Sequence, residues 1–145
     1  MLQPRAHLYS SGLQAAARRA EEERRERERE QERRDEAERQ AEAERRRIAI
    51  LESGPEGENC RDGIAAYVMS QEFIKERLKA PATAQFPSAL SVQTSYLGQC
   101  RHLVRAYVDS ENSFSALLRA RYVATLHYNG GGIWVLDGIE FIQPQ

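Results

Sequence analysis

The sequence predicts an α+β fold: one helix packed on a four-stranded antiparallel meander, preceded by a long, charged, solitary helix. Three observations carry this. Residues 18–47 hold 12 Arg and 12 Asp/Glu, with Ala as the only apolar residue type. From Asn59 onward apolar residues return, first at helical and then at alternating spacing. The alternating runs share one parity, so a meander would turn all of them to the same side. The chain of 145 residues divides accordingly into a disordered N-terminus (1–11), a charged single helix or partial coiled coil (12–53), a linker (54–58) and a small α+β domain (59–145).

The charged helix is expected to start at Ser11-Gly-Leu-Gln14, which has the spacing of a capping box. Glu21→Arg25, Glu23→Arg27, Glu30→Arg34, Asp35→Arg39 and Glu42→Arg46 are acidic-before-basic pairs four residues apart, the favourable order on a helix. Ser53-Gly54-Pro55 ends it. At the helical rise, residues 13–51 would cover roughly 58 Å. Residues 21–36 lack apolar residues altogether, so no coiled-coil seam runs through the middle. Helix pairing is left to the ends, around Leu13, Ala16, Ala17 and Ala20, and around Ile48, Ala49 and Leu51.

In the domain, Asn59 is the expected cap of a second helix, with Ile64, Tyr67, Val68, Ile74 and Leu78 as its apolar face. A loop between Pro81 and Pro87 follows. Four strands then carry Leu90/Val92/Thr94/Tyr96, His102/Val104/Ala106/Val108, Leu118/Ala120/Tyr122/Ala124/Leu126 and Trp134/Leu136/Gly138 on the inner face. Asn129-Gly-Gly-Gly132 is a hairpin turn, because these residues tolerate positive φ. Turns near Gly98–Gln99 and Glu111–Asn112 complete the meander.

Two stretches resemble known kinds of segment. Residues 18–47 resemble the charged single-α-helix spacers of many unrelated proteins. Arg77-Leu-Lys-Ala-Pro-Ala-Thr-Ala-Gln-Phe-Pro87, Tyr107-Val-Asp-Ser-Glu-Asn-Ser-Phe-Ser115 and Trp134 resemble a small α+β domain of bacterial and phage proteins, over about residues 60–141. That resemblance implies variable N-terminal segments and no assigned enzymatic activity. Ser115 stands where the family pattern favours Gly.

Net charge is −1 and both halves are balanced, so bulk electrostatics call for neither nucleic acid nor an anionic membrane. Met1–Ser11 lack the apolar core of a signal peptide, and no stretch is long and apolar enough to span a bilayer, so the reading is cytoplasmic with no membrane contact. Cys60 and Cys100 then read as reduced thiols, with a disulfide the alternative in an oxidising compartment. No cofactor or metal is expected: the cysteines lack zinc-ligand spacing, and His102 and His127 fall on opposite sheet faces. A Cys100–His102 nucleophile pair lacks a third, orienting group, and no enzymatic activity is expected.

The outward, odd-numbered face carries the candidate binding residues Arg101, Arg105, Tyr107, Arg119 and Arg121, with Asp109 and Asn112 in the adjoining loop. The expected register sets Arg105 opposite Arg121 and Tyr107 opposite Arg119, with Val123, Ile133, Val135, Ile139 and Phe141 beside them. Asp137 and Glu111 partly offset the arginines. Like charges in opposition favour something anionic between them. The expected function is therefore a non-enzymatic interaction or scaffold protein, whose head binds a protein partner (a second copy included) and whose helix is a rigid spacer. The alternative is a nucleic-acid-associated protein using the same arginines.

Overall fold

The computed structural model describes residues 4–142, with side chains from residue 10 onward. The chain divides into two compact units, Met1–Arg45 and Arg46–Gln145. Helix α1 runs unbroken from Pro4 to Ser53. It does not start at Ser11, so the capping box is not used. Of the residues expected to be disordered, 1–3 lie outside the described ones and the rest are helical. Pro4 suits a first turn because its φ is already helical and its missing N–H has no partner to lose there. The cost of Gly12, about 1 kcal/mol against Ala, is carried by the good helix formers that follow it, Leu13 to Arg19.

In the first unit every described side chain is exposed. Its charges pair along the helix as the spacing predicts: Arg25–Glu21 at 2.6 Å, Arg34–Glu30 at 2.5 Å and Arg27–Glu23 at 3.9 Å. Asp35 instead accepts from Gln31 at 2.8 Å. Exposed pairs of this kind contribute about 0.3–0.5 kcal/mol each, so the ladder supports a helix without needing a partner.

The second unit holds the last turns of α1, α2 (Gly57–Cys60), α3 (Gly63–Lys75) and strands β1 (Gln93–Gly98), β2 (Arg101–Glu111), β3 (Leu117–Tyr128) and β4 (Trp134–Ile142). The strands form one antiparallel sheet in the order β1-β2-β3-β4, with α3 packed on one face. This is the expected α+β architecture. The cap of the packed helix is Asp62 and not Asn59: its Oδ1 accepts from Ala65 N at 3.0 Å. Asn59 lies inside the short helix α2 instead. Ile64 and Val68, expected inside, are 62% and 49% exposed, and the buried stripe is Ala66, Tyr67, Ser70 and Ile74. Small residues at 66 and 70 let the helix approach the sheet, where Ser70 Oγ lies 3.1 Å from the Tyr122 hydroxyl.

Even parity holds through the two central strands. His102, Val104 and Val108 of β2 and Tyr122, Ala124, Leu126 and Tyr128 of β3 are buried, and Val104, Val108, Tyr122, Ala124 and Leu126 share one cluster with Ala66, Tyr67 and Ile74 of α3. The first strand starts later than expected, at Gln93, and Leu90 sits exposed in a 3-10 turn. Parity fails in β4. Leu126 faces Leu136 and Thr125 faces Gly138, so Asp137 is an extra residue, a β-bulge. Trp134 and Leu136 point inward before it; Ile139 and Phe141 do so after it and join the core. Gly138, expected inside, is exposed, and Ile139 and Phe141, expected outside, are not.

A second, smaller cluster closes one end of the sheet. Leu51, Cys60, Cys100 and Tyr128 are buried together, with Trp134 against them. The cysteines are not reduced thiols but a Cys60–Cys100 disulfide, with Cα atoms 4.7 Å apart. It ties α2 to the β1–β2 turn, where Gly98, Gln99 and Cys100 have φ of +82, +56 and +59°. Carboxylates from the end of α1 and the corner after it hold this turn and the one between β3 and β4. Glu52 Oε1 accepts from the Tyr96 hydroxyl and from Gln99 N (3.0 Å). Glu56 Oε1 accepts from the Tyr128 hydroxyl and Gly131 N, each at 2.8 Å.

Candidate functional site

The outward face of the sheet is built by the odd positions of β2 and β3. Its true register is shifted by two residues from the expected one: Arg105 faces Val123, Tyr107 faces Arg121, and Asp109 faces Arg119. The β2–β3 loop is longer than a two-residue turn, and the extra residues move the pairing. Asn112 organises it. Its Oδ1 accepts from Phe114 N (2.9 Å) and Ala116 N (3.0 Å), while its own N–H donates to Ala116 O at 2.9 Å. Ser115 takes φ +58°, the conformation that favours glycine.

This register separates the candidate residues into two groups. Arg119 grips Asp109 with two hydrogen bonds, Nε to Oδ1 at 2.8 Å and Nη2 to Oδ2 at 2.9 Å. The same guanidinium lies 3.8 Å from the centre of the Tyr107 ring. The fork holds the Asp109 carboxyl below the usual carboxylate range, because two N–H groups and a positive charge favour its ionised form. Asp109, Arg119, Tyr107 and Asn112 are therefore committed to one another or to the loop.

Arg101, Arg105 and Arg121 form the other group. All three are exposed, and no described carboxylate pairs with any of them. Arg105 and Arg121 occupy diagonal positions on neighbouring strands, where Cβ atoms stand roughly 7–8 Å apart. Both line a shallow cavity of about 390 Å³ together with Tyr107, Ser91, Gln93 and Ile142. The cavity lies beside Gln93, the first residue of β1, which pairs with Arg105, and Ile142, which pairs with Arg121. Two adjacent guanidiniums in such a place can grip one anionic group between them, or two carboxylates in succession.

Sequence reasoning missed several features. The bulge aims Asp137 at His127, whose Nδ1 lies 2.9 Å from both carboxylate oxygens. Asp137, expected to offset the arginines, is instead engaged here. His102 lies on the other face, buried, its Nε2 2.7 Å from Cys60 O and its Nδ1 without a partner. That pattern assigns the neutral ring with its proton on Nε2, and burial pushes the imidazole below its ordinary pKa. With Cys100 in the disulfide, the Cys100–His102 nucleophile pair does not exist.

Among the described residues no helix is long and apolar enough to cross a membrane. Comparison of the chain with protein-family models, curated proteins and solved structures finds no match. The likeness of residues 60–141 to the bacterial and phage domain therefore rests on the quoted residues alone.

Proposed function

We propose that this protein is a non-enzymatic binding module whose outward sheet face takes an acidic segment of a protein partner, with α1 as its helical spacer. The observation that carries this reading is the diagonal pair Arg105 and Arg121, lining one cavity without a carboxylate of their own. Leu103, Val123 and Ile142 lie around them and offer apolar contact to the stems of acidic side chains. Nucleic acid is the weaker reading. Tyr107 is the one aromatic residue at an outward strand position among the described residues, and its ring is covered by Arg119, which removes the platform a base would stack on. A buried disulfide belongs to an oxidising compartment, so the support that reduced thiols lent to a cytoplasmic location is gone. We place the protein's work outside the reducing cytosol.

The test is a titration of labelled oligoglutamate peptide, followed by fluorescence anisotropy at low salt. The wild-type chain should bind it in a salt-dependent manner, and Arg105→Glu with Arg121→Glu should weaken binding at least about tenfold. Arg119→Gln, which breaks only the internal pair, should weaken it far less. Equal binding by the double variant would remove the face assignment. A labelled single-stranded oligonucleotide binding more tightly than the peptide would move the assignment to nucleic acid.

A further inference from the structure

The outward side chains of β2 and β3 recur at every second residue, so the register fixes the level at which each stands along the strands. Arg101 is level with His127, Leu103 with Thr125, Arg105 with Val123, and Tyr107 with Arg121. The exposed arginines therefore fall at unequal intervals. Arg105 lies four residues beyond Arg101, about 13 Å along the strand. Arg121 stands at the next outward level, about 7 Å further. The skipped level carries no charge: Leu103 and Thr125 occupy it, both half-buried.

The flanking strands differ in charge. β1, Gln93 to Gly98, has no charged residue, and its Gln93 and Ser95 pair with Arg105 and Leu103. Glu52 meets β1 through the Tyr96 hydroxyl, on the inner face that Tyr96 shares with His102. On β4 an exposed Glu140 pairs with Val123, and Asp137 is turned to His127. Negative charge therefore borders the outward arginines on the β4 side, while the β1 side is neutral. An acidic chain is repelled from β4 and drawn over β2. An extended segment has the same rise per residue as the strands beneath it, so its alternate side chains meet successive outward levels.

We infer that the segment recognised here is an extended peptide of the pattern acidic-x-apolar-x-acidic-x-acidic, read in either chain direction. Its lone acidic side chain meets Arg101, its apolar one lies over Leu103, and its acidic pair meets Arg105 and Arg121. This rests on the proposed function and adds a spacing to it. Arg105 and Arg121 alone accept any two carboxylates in succession; Arg101, set one uncharged level away, makes the site sensitive to where a third one falls. A run of consecutive acidic residues turns every second carboxylate away from the face and fits less well.

The test is fluorescence anisotropy of the full chain with three labelled peptides of one composition: Glu-Ser-Leu-Ser-Glu-Ser-Glu, its reversal, and Glu-Glu-Glu-Ser-Leu-Ser-Ser. At low salt the tighter of the first two should bind about fivefold more strongly than the third. Arg101→Gln, at an exposed position, should stay folded by tryptophan fluorescence and lose most of that preference. Replacing the peptide's lone Glu by Gln should then cost little more, because both changes remove the same contact. Replacing either Glu of the acidic pair should cost as much in Arg101→Gln as in the wild type. Equal or reversed preference among the peptides, with binding still lost in Arg105→Glu plus Arg121→Glu, would overturn the spacing and leave the proposed function standing. Independent effects of Arg101→Gln and of the lone Glu would overturn it too. Binding of none of the peptides, or binding indifferent to Arg105 and Arg121, would remove the proposed function itself and this inference with it.

Discussion

Replacing both cysteines by alanine should cost the Arg46–Gln145 unit about 4 kcal/mol. The disulfide spans a sequence separation of 40, and loop closure of that length in the unfolded chain corresponds to about 13 cal/mol/K, or roughly 3.9 kcal/mol at 25 °C. Both residues are fully buried in the small end cluster, so loss of the sulfurs adds to the cost. For a unit of this size 1 kcal/mol shifts Tm by about 4–8 °C, which sets the expected fall at roughly 15–30 °C. The readout should be Trp134, the single tryptophan, because it packs on this cluster. Far-UV ellipticity is unsuitable, since α1 dominates it and α1 outside the second unit does not depend on the bond. Reducing the wild type should reproduce the double variant. A fall of under about 1 kcal/mol, or two free thiols found by alkylation in protein made in an oxidising compartment, would refute the assignment of the pair as a structural bond.

Three further outcomes rest on the same geometry. Ser115→Gly should stabilise the protein by about 0.5–1 kcal/mol, read as a higher urea midpoint, because a left-handed residue with a Cβ is replaced by one without; a lower midpoint would mean that the serine side chain matters more than its backbone. Glu56 has its folded pKa lowered by Gly131 N–H and then by the Tyr128 hydroxyl. Its contribution is present above the unfolded value of 4.5 and is lost as pH falls through the folded one, so Glu56→Gln should flatten the acid limb of the stability curve below about pH 4.5. His102 is held neutral by burial, so the unfolded chain takes up its proton first and stability should decline as pH drops below about 6.5. His102→Phe should lower stability at pH 8 but remove that decline between about pH 7 and 5; an unchanged slope in denaturant titrations would assign it elsewhere.

Legibility in the sequence tracked the range of the interaction that decided each feature. The charge ladder of α1 depends on neighbours four residues apart, and Glu21–Arg25 and Glu30–Arg34 form as the spacing says. Inner-face parity in β2 and β3 depends on alternation along one strand, and it also holds. The features that failed were set by pairing between strands or between distant residues. The bulge at Asp137 leaves no mark in alternation, because Trp134, Leu136, Ile139 and Phe141 are apolar on both sides of it. The position of Arg119 opposite Asp109 depended on how many residues the Asn112 loop spends, which a turn signal alone does not count. Cys60 and Cys100 meet only because α2 is folded back on the β1–β2 turn, a tertiary fact with no local trace.

These corrections act together on the candidate face. The bulge takes Ile139 and Phe141 into the core and so removes two apolar side chains from the outward surface. The register shift gives Arg119 to Asp109 and leaves Arg105 and Arg121 diagonal instead of opposed. An opposed pair beside a broad apolar strip would have suited a second sheet packed face to face. On the proposed function, this diagonal pair, with Leu103, Val123 and Ile142 around it, would meet the side chains of an extended acidic chain one guanidinium after the other.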